Sequence, residues 1–177
     1  MTSTFNAANE SAESRSLNVL FLAAEAAPLI KVGGLGDVAG SLPPALRKLD
    51  PAQCGGRPLD VRLVIPFHGE IKRRLPELEA VADFIVDRPT GGVQAIAYHT
   101  QIDNLPVYLI DGPPILPDSP VYSLDSEADG EKFVFFSLAA LELARQLDWR
   151  PDIVHANDWH TAVSLYSLCL QRGKDPF

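Results

Sequence analysis

The chain reads as an open, mostly parallel α/β sheet with Rossmann-like order and helices on both faces. Three observations carry this. Short, continuous apolar runs of strand length recur along the chain, as in strands buried on both faces. Segments with helical apolar spacing lie between them, and strand–helix–strand alternation favours a parallel sheet. The 177 residues, 46% hydrophobic and 21% charged, match an ordinary folded domain.

The first strand is Asn18–Ala23 (NVLFLA) and the second Asp60–Ile65 (DVRLVI), stopped by Pro66. Val93–Ile102 and Pro106–Ile110 read as a pair ending at Asp111-Gly112. Ile153–Ala156 reads as another short buried strand. Asp37–Leu49 presents Val38, Leu42, Ala45, Leu46 and Leu49 on one helical face, with a kink expected at Pro43-Pro44. Lys132–Leu147 is apolar nearly all round, as in a buried helix, with Asp129 as its expected cap. Thr161–Arg172 forms the last helix and stops at Gly173. The Pro-, Asp- and Ser-rich segment from Asp111 to Gly130 is long enough to expect a functional loop.

Residues 1–16 are polar, lack the apolar core of a secretory signal, and read as a flexible tail ahead of a domain spanning 17–177. The chain carries 15 Lys and Arg against 23 Asp and Glu, a net charge of −8. No basic stripe is present, which disfavours a nucleic-acid reader, and no nucleic-acid partner is expected. Glu25 and Pro28 break the longest apolar stretch, Val19–Ile30, so no membrane span is expected. Cys54 and Cys169 give neither a disulfide framework nor a zinc spacing, which points to a reducing, cytoplasmic setting.

In parallel sheets, ligands bind at the carboxyl ends of the strands. Two strand-to-helix junctions there carry chemistry. The first runs from Glu25 to Asp37 and contains Lys31, Gly33, Gly34 and Gly36. Glycine N–H groups at a helix start, beside a lysine, can cradle a diphosphate without a metal; the same pattern also fits a plain turn with a solvated lysine. A P-loop is excluded because Lys31 precedes the glycines. Gly34, Gly36 and Ala39 match the letters of a dinucleotide fingerprint. They begin about ten residues after the strand, however, and the second strand ends Val64-Ile65-Pro66 with no acid for a ribose.

The second junction is His155-Ala-Asn-Asp158-Trp-His160-Thr161. Asp158 or Thr161 can cap the following helix, and Trp159 can simply pack. His155 alternates with Val154 and reads as a core or supporting histidine. His160, at the mouth of the sheet, is the functional candidate. Zinc held by His155, Asp158 and His160 would lack the helical i, i+4 pairing, so no metal is expected.

With both junctions in view, the chain resembles the N-terminal domain of bacterial glycogen synthases and plant starch synthases, retaining glucosyltransferases of the GT-B architecture. The resemblance rests on Lys31-Val-Gly-Gly-Leu35-Gly-Asp37 and His155-Ala-Asn-Asp-Trp-His160, extended by Phe133–Leu143 and Trp149–His155, and runs from about Leu17 to the end. It implies that Lys31, Gly33 and Gly34 face the diphosphate of a nucleotide sugar, usually ADP-glucose. It implies that Asp37 assists donor binding and that His160 stands near the transferred glucose. Glu25 and Asp158 share that cleft, and Glu25 touches donor or acceptor. An α-1,4-glucan is the implied acceptor, no cofactor is implied, and the second GT-B domain is expected to be absent after Phe177. Ala128-Asp129 stands where many members carry Asp-Asn, a departure at one corner of the site. The competing reading is a sugar- or nucleotide-binding module without catalysis.

Overall fold

The computed structural model describes residues 15–175. The polar segment read as a flexible tail therefore lies, up to residue 14, outside the described residues. Arg15 and Ser16 are tied down: Arg15 pairs with Asp152 at 2.7 Å, and the Arg57 guanidinium donates to both backbone carbonyls.

Six strands form one sheet: β1 (Leu17–Leu22), β2 (Leu59–Pro66), β3 (Ala80–Val86), β4 (Val93–Ile102), β5 (Leu105–Asp111) and β6 (Ile153–Ala156). Their order is β3-β4-β5-β2-β1-β6. β5, β2, β1 and β6 run parallel, with Leu22 opposite both Val64 and Ala156. β3 and β4 extend the sheet antiparallel. The helices are α1 (Gly34–Arg47), α2 (Gly69–Arg74), α3 (Ser126–Gln146) and α4 (Trp159–Gln171), and a short 3₁₀ turn spans Pro51–Cys54.

Strand side chains alternate between the faces, and each face has its own core. Leu20, Leu22, Val64 and Ile110 pack with Phe135, Phe136, Ala139 and Ala140 of α3. Val19, Phe21, Leu63, Ile65 and Leu109 pack on the other face with Ala39 of α1, flanked by Leu42 and Leu46. The expected two-sided cover is present.

Several expectations are corrected. α3 begins at Ser126 and is capped by Asp125, whose carboxylate accepts the N–H groups of Glu127 and Ala128. Asp129, the expected cap, is instead buried inside the first turn. α1 starts three residues before Asp37 and continues through Pro43 and Pro44 to Arg47. β6 is an edge strand rather than a buried one, and Ile153 is 45% exposed. β3 and α2 are additional elements. β3 alternates exposed and buried residues, as an edge strand with one covered face does, so it has no continuous apolar run.

Candidate active site

The cleft lies at the carboxyl ends of β1 and β6. Beyond β1 the chain makes an irregular excursion from Glu25 to Gly33, laced to α1 by the Ala27 N–H bonding to the Gly36 carbonyl at 2.9 Å. Gly40 permits this contact, since a Cβ there would stand 2.4 Å from the Ala27 carbonyl oxygen. Glu25 is 1% exposed, and its carboxylate accepts the N–H groups of Val32 and, at 3.1 Å, Gly33. The acid therefore braces the glycine loop from beneath, and the Gly33 N–H is already used. Gly33 precedes α1 without a side-chain cap. This leaves the N–H groups of Gly34, Leu35 and Gly36, which an α-helix cannot pair internally, for a ligand.

Lys31 and Asp37 flank this helix start as an ion pair at 2.7 Å, with side chains 50% and 61% exposed. An exposed pair of this kind contributes about 0–1 kcal/mol.

Beyond β6, the Asn157 side chain donates to the Leu22 carbonyl at 2.8 Å, and the Thr161 hydroxyl donates to the Asn157 carbonyl at 2.8 Å. Between them Asp158 caps α4 with φ 61° and ψ −179°, a region occupied almost only by glycine and costing about 1–3 kcal/mol for other residues. Among the described residues, the other two non-glycine residues of positive φ, Asp103 and Asp148, lie in turns away from the cleft.

His160 is 5% exposed and boxed by rings: Trp159 at 4.2 Å, Phe133 edge-on at 4.5 Å and Tyr122 at 4.7 Å between centroids. Its Nδ1 is buried without a hydrogen-bond partner, and Asp158 Oδ2 stands 3.8 Å away. Burial holds the imidazole pKa below its ordinary value, against the opposing pull of Asp158, Asp129 and Glu25, so the ring is neutral near pH 7.

The third wall is the predicted functional loop. Lys132, 2% exposed, donates to the carbonyls of Pro120 and Val121 at 3.2 and 2.9 Å and to Asp129 at 2.7 Å. The other Asp129 oxygen accepts the Ser123 N–H at 2.8 Å. Burial pushes the Asp129 carboxyl up, but the Lys132 ammonium and the Ser123 N–H outweigh it and hold the group below the usual carboxylate range. This clamp presents Tyr122 and Ser123 to the cleft. Burial first, and then the adjacent Glu25 carboxylate, push the Tyr122 hydroxyl far above its usual range, so it remains a proton donor.

The resulting cleft of about 420 Å³ is lined by Glu25, Gly33, Gly34, Asp158 and His160 together with Leu35, Tyr122, Ser123, Asp129 and Trp159. Five of the seven residues expected from sequence thus share one cavity. Lys31 and Asp37 are not in its wall: they sit at the outer side of the glycine turn, where a Cβ on Gly36 would touch both Lys31 and Glu25. Tyr122, Ser123 and the Asp129–Lys132 pair were not expected as site residues. Their trace in the sequence is the length and polarity of the loop between Asp111 and Gly130 and, for Asp129, its place in the Ala128-Asp129 pair at one corner of the implied site. Among the described residues no group of three His, Cys, Asp or Glu side chains could hold a metal ion, and no helix is long and apolar enough to cross a membrane.

The chain is similar to known proteins in sequence and in fold. Residues 18–176 match the family model of the starch synthase catalytic domain. Glycogen synthase of Vibrio parahaemolyticus is 39% identical over 165 residues, covering 92% of this chain and 32% of that protein. Glycogen synthase of Clostridium perfringens is 35% identical over 162 residues, covering 91% and 32%. The catalytic domain of starch synthase IV from Arabidopsis thaliana, solved bound to ADP and acarbose, superposes with a TM-score of 0.68. That superposition has 28% identity and covers 89% of this chain and 31% of that one. The chain thus spans about a third of the length of these relatives, and it belongs to the starch synthase catalytic domain family.

Proposed function

We propose that this chain forms one wall of the cleft of a retaining glucosyltransferase that moves glucose from ADP-glucose to the non-reducing end of an α-1,4-glucan. A second α/β domain supplies the nucleotide pocket and the opposite wall. The observation that carries the reading is the pairing, across one cleft, of an uncapped helix start with a buried, ring-boxed histidine. The solved relative bound to ADP and acarbose supports the donor and acceptor classes. The reading implies a cytoplasmic enzyme.

In this mechanism the diphosphate lies against the N–H groups of Gly34, Leu35 and Gly36, where the helix dipole favours negative charge. Lys31 exchanges its weak partner Asp37 for the diphosphate, and the leaving group's growing charge strengthens that contact in the transition state. Gly33 and Glu25 act by shaping the loop. His160 stands beside the glucose as its anomeric carbon becomes positive, and a neutral imidazole is suited to that place. Asp158 borders the donor within the cavity, and Asp37 assists donor binding from the outer side of the glycine turn, where it holds Lys31. In the competing reading, a binding module, the same contacts hold a ligand without chemistry.

Amide chemical-shift mapping of the ¹⁵N-labelled chain with millimolar ADP-glucose tests the proposal. The expected result is weak binding, with the largest shifts at Gly34, Leu35, Gly36 and His160. Shifts confined to other parts of the surface, or none at 10 mM, would overturn it. Glucose incorporation into a glucan by the full-length protein separates the transferase from the binding module.

A further inference from the structure

We infer that Asp158 is a positioning residue for His160: a non-glycine held in a glycine-only backbone conformation so that its carboxylate faces Nδ1 of the buried imidazole. Two unfavourable features meet within three residues. One is the backbone of Asp158 at φ 61°, ψ −179°. The other is the Nδ1 of His160, enclosed and without a hydrogen-bond partner. Such a conformation persists only where its surroundings over-determine it, and here they do. Asn157 is fastened to the end of β1 through both its N–H and its side chain. Thr161 returns its hydroxyl to Asn157, and the Ser137 hydroxyl of α3 holds the His160 carbonyl at 3.2 Å. The Asp158 carboxylate itself accepts the Trp159 N–H at 2.6 Å. A glycine would fit this backbone without strain but would bring no carboxylate.

The carboxylate decides which nitrogen of His160 carries the proton. With Asp158 Oδ2 3.8 Å from Nδ1 and hydrophobic rings around the imidazole, the proton belongs on Nδ1, and a small movement closes the gap to a hydrogen bond. Nε2 is then left as an acceptor, the group a ring needs to take a hydrogen bond from a sugar hydroxyl. The identity of that hydroxyl ligand rests on the glucosyltransferase reading; the strain and the proton's position do not. The other charges facing the ring are Asp129 and Lys132 of α3 and Glu25 of the glycine loop. Asp129 and Lys132 already pair with each other and Glu25 is bonded to backbone, so Asp158 is the acid with freedom to respond.

Two variants of this chain, compared with the unsubstituted chain and studied without donor, test the inference. Asp158→Gly relieves the backbone and should raise Tm by about 2–6 °C, whereas glycine at an unstrained N-cap gives no gain. A Tm at or below that of the unsubstituted chain would overturn the strain. ¹⁵N shifts of the imidazole, recorded above its titration, should show the proton on Nδ1 in the unsubstituted chain and on Nε2 in Asp158→Gly. A proton on Nε2 in both would overturn the positioning role. Asp158→Asn keeps the cap and a hydrogen-bond acceptor but removes the charge. It should leave Tm within a few degrees while lowering the His160 pKa by about 0.5 or more. An unmoved His160 titration in a folded Asp158→Asn chain would also overturn it. None of these readouts uses ADP-glucose, so a failure of donor binding and a failure of this inference are seen separately.

Discussion

The two ends of the parallel strands use the same kinds of side chain and treat them in opposite ways. At the amino end of β2, Asp60 receives Arg47 at 2.8 Å, Arg62 at 3.2 Å and the Trp149 indole N–H at 2.8 Å. The Arg62 guanidinium also lies 4.2 Å from the Trp149 ring centroid. Every charge there has a partner, and the network joins α1, β2 and the segment before β6. At the carboxyl end an acid, a histidine and a tryptophan also meet, yet the histidine nitrogen is unpaired, the acid is strained and the tryptophan is 54% exposed. A network that only holds the fold together is satisfied within the chain. One left unsatisfied and strained beside a cavity marks a site held ready for work rather than a support of the fold.

The largest test of this contrast is with pH, because the carboxyl end also buries a second imidazole. His68, 2% exposed with Nε2 2.8 Å from the Ala24 carbonyl oxygen, is held by burial at a pKa of about 4. Its unfolded value is near 6.5, so between these values the unfolded chain binds more protons. Its contribution to stability is fully present above about pH 6.5 and is lost as pH falls toward 4, by on the order of 3 kcal/mol. His160, shifted the same way, adds to the slope. Urea unfolding at pH 7.0 and 4.5 measures it, and His68→Gln should flatten much of it. A midpoint equal at the two pH values would contradict the burial of both rings.

Next in size, Asp60→Ala should cost about 2 kcal/mol, because it strips charge-assisted hydrogen bonds from Arg47, Arg62 and Trp149. It should leave the ADP-glucose shifts unchanged. If donor binding weakened with stability, the two ends would be coupled rather than separate. The smallest effect on stability belongs to Lys31→Ala, under about 1 kcal/mol because the pair with Asp37 is exposed. The same variant should weaken donor binding at least about tenfold, as the loss of a charge-assisted contact does. Unchanged donor binding would make Lys31 a solvated turn residue and return the glycine loop to a plain structural turn.

These differences mark what could be read before folding. β1 and β5 were legible because strands covered on both faces carry continuous apolar runs, β2 because its buried run Leu63–Ile65 stops at Pro66, and α3 because its periodicity is local. Their order placed both motifs at one end of the sheet, which is why Gly34 and His160 were found together. β3 escaped because an edge strand alternates. α2, six residues long, has no period to detect. Glu25 was visible as an acid in the right loop, but not as a buried brace, since that depends on Val32 and Gly33 folding back over it. Tyr122 meets His160 only because Lys132 fastens the loop from below. The backbone of Asp158 leaves no mark in composition or spacing. Residue type and period follow from neighbours along the chain and therefore survive in the sequence. Burial, pairing and strain at the cleft follow from neighbours in space, and the packing of α3, α4 and the glycine loop around β1 and β6 sets them.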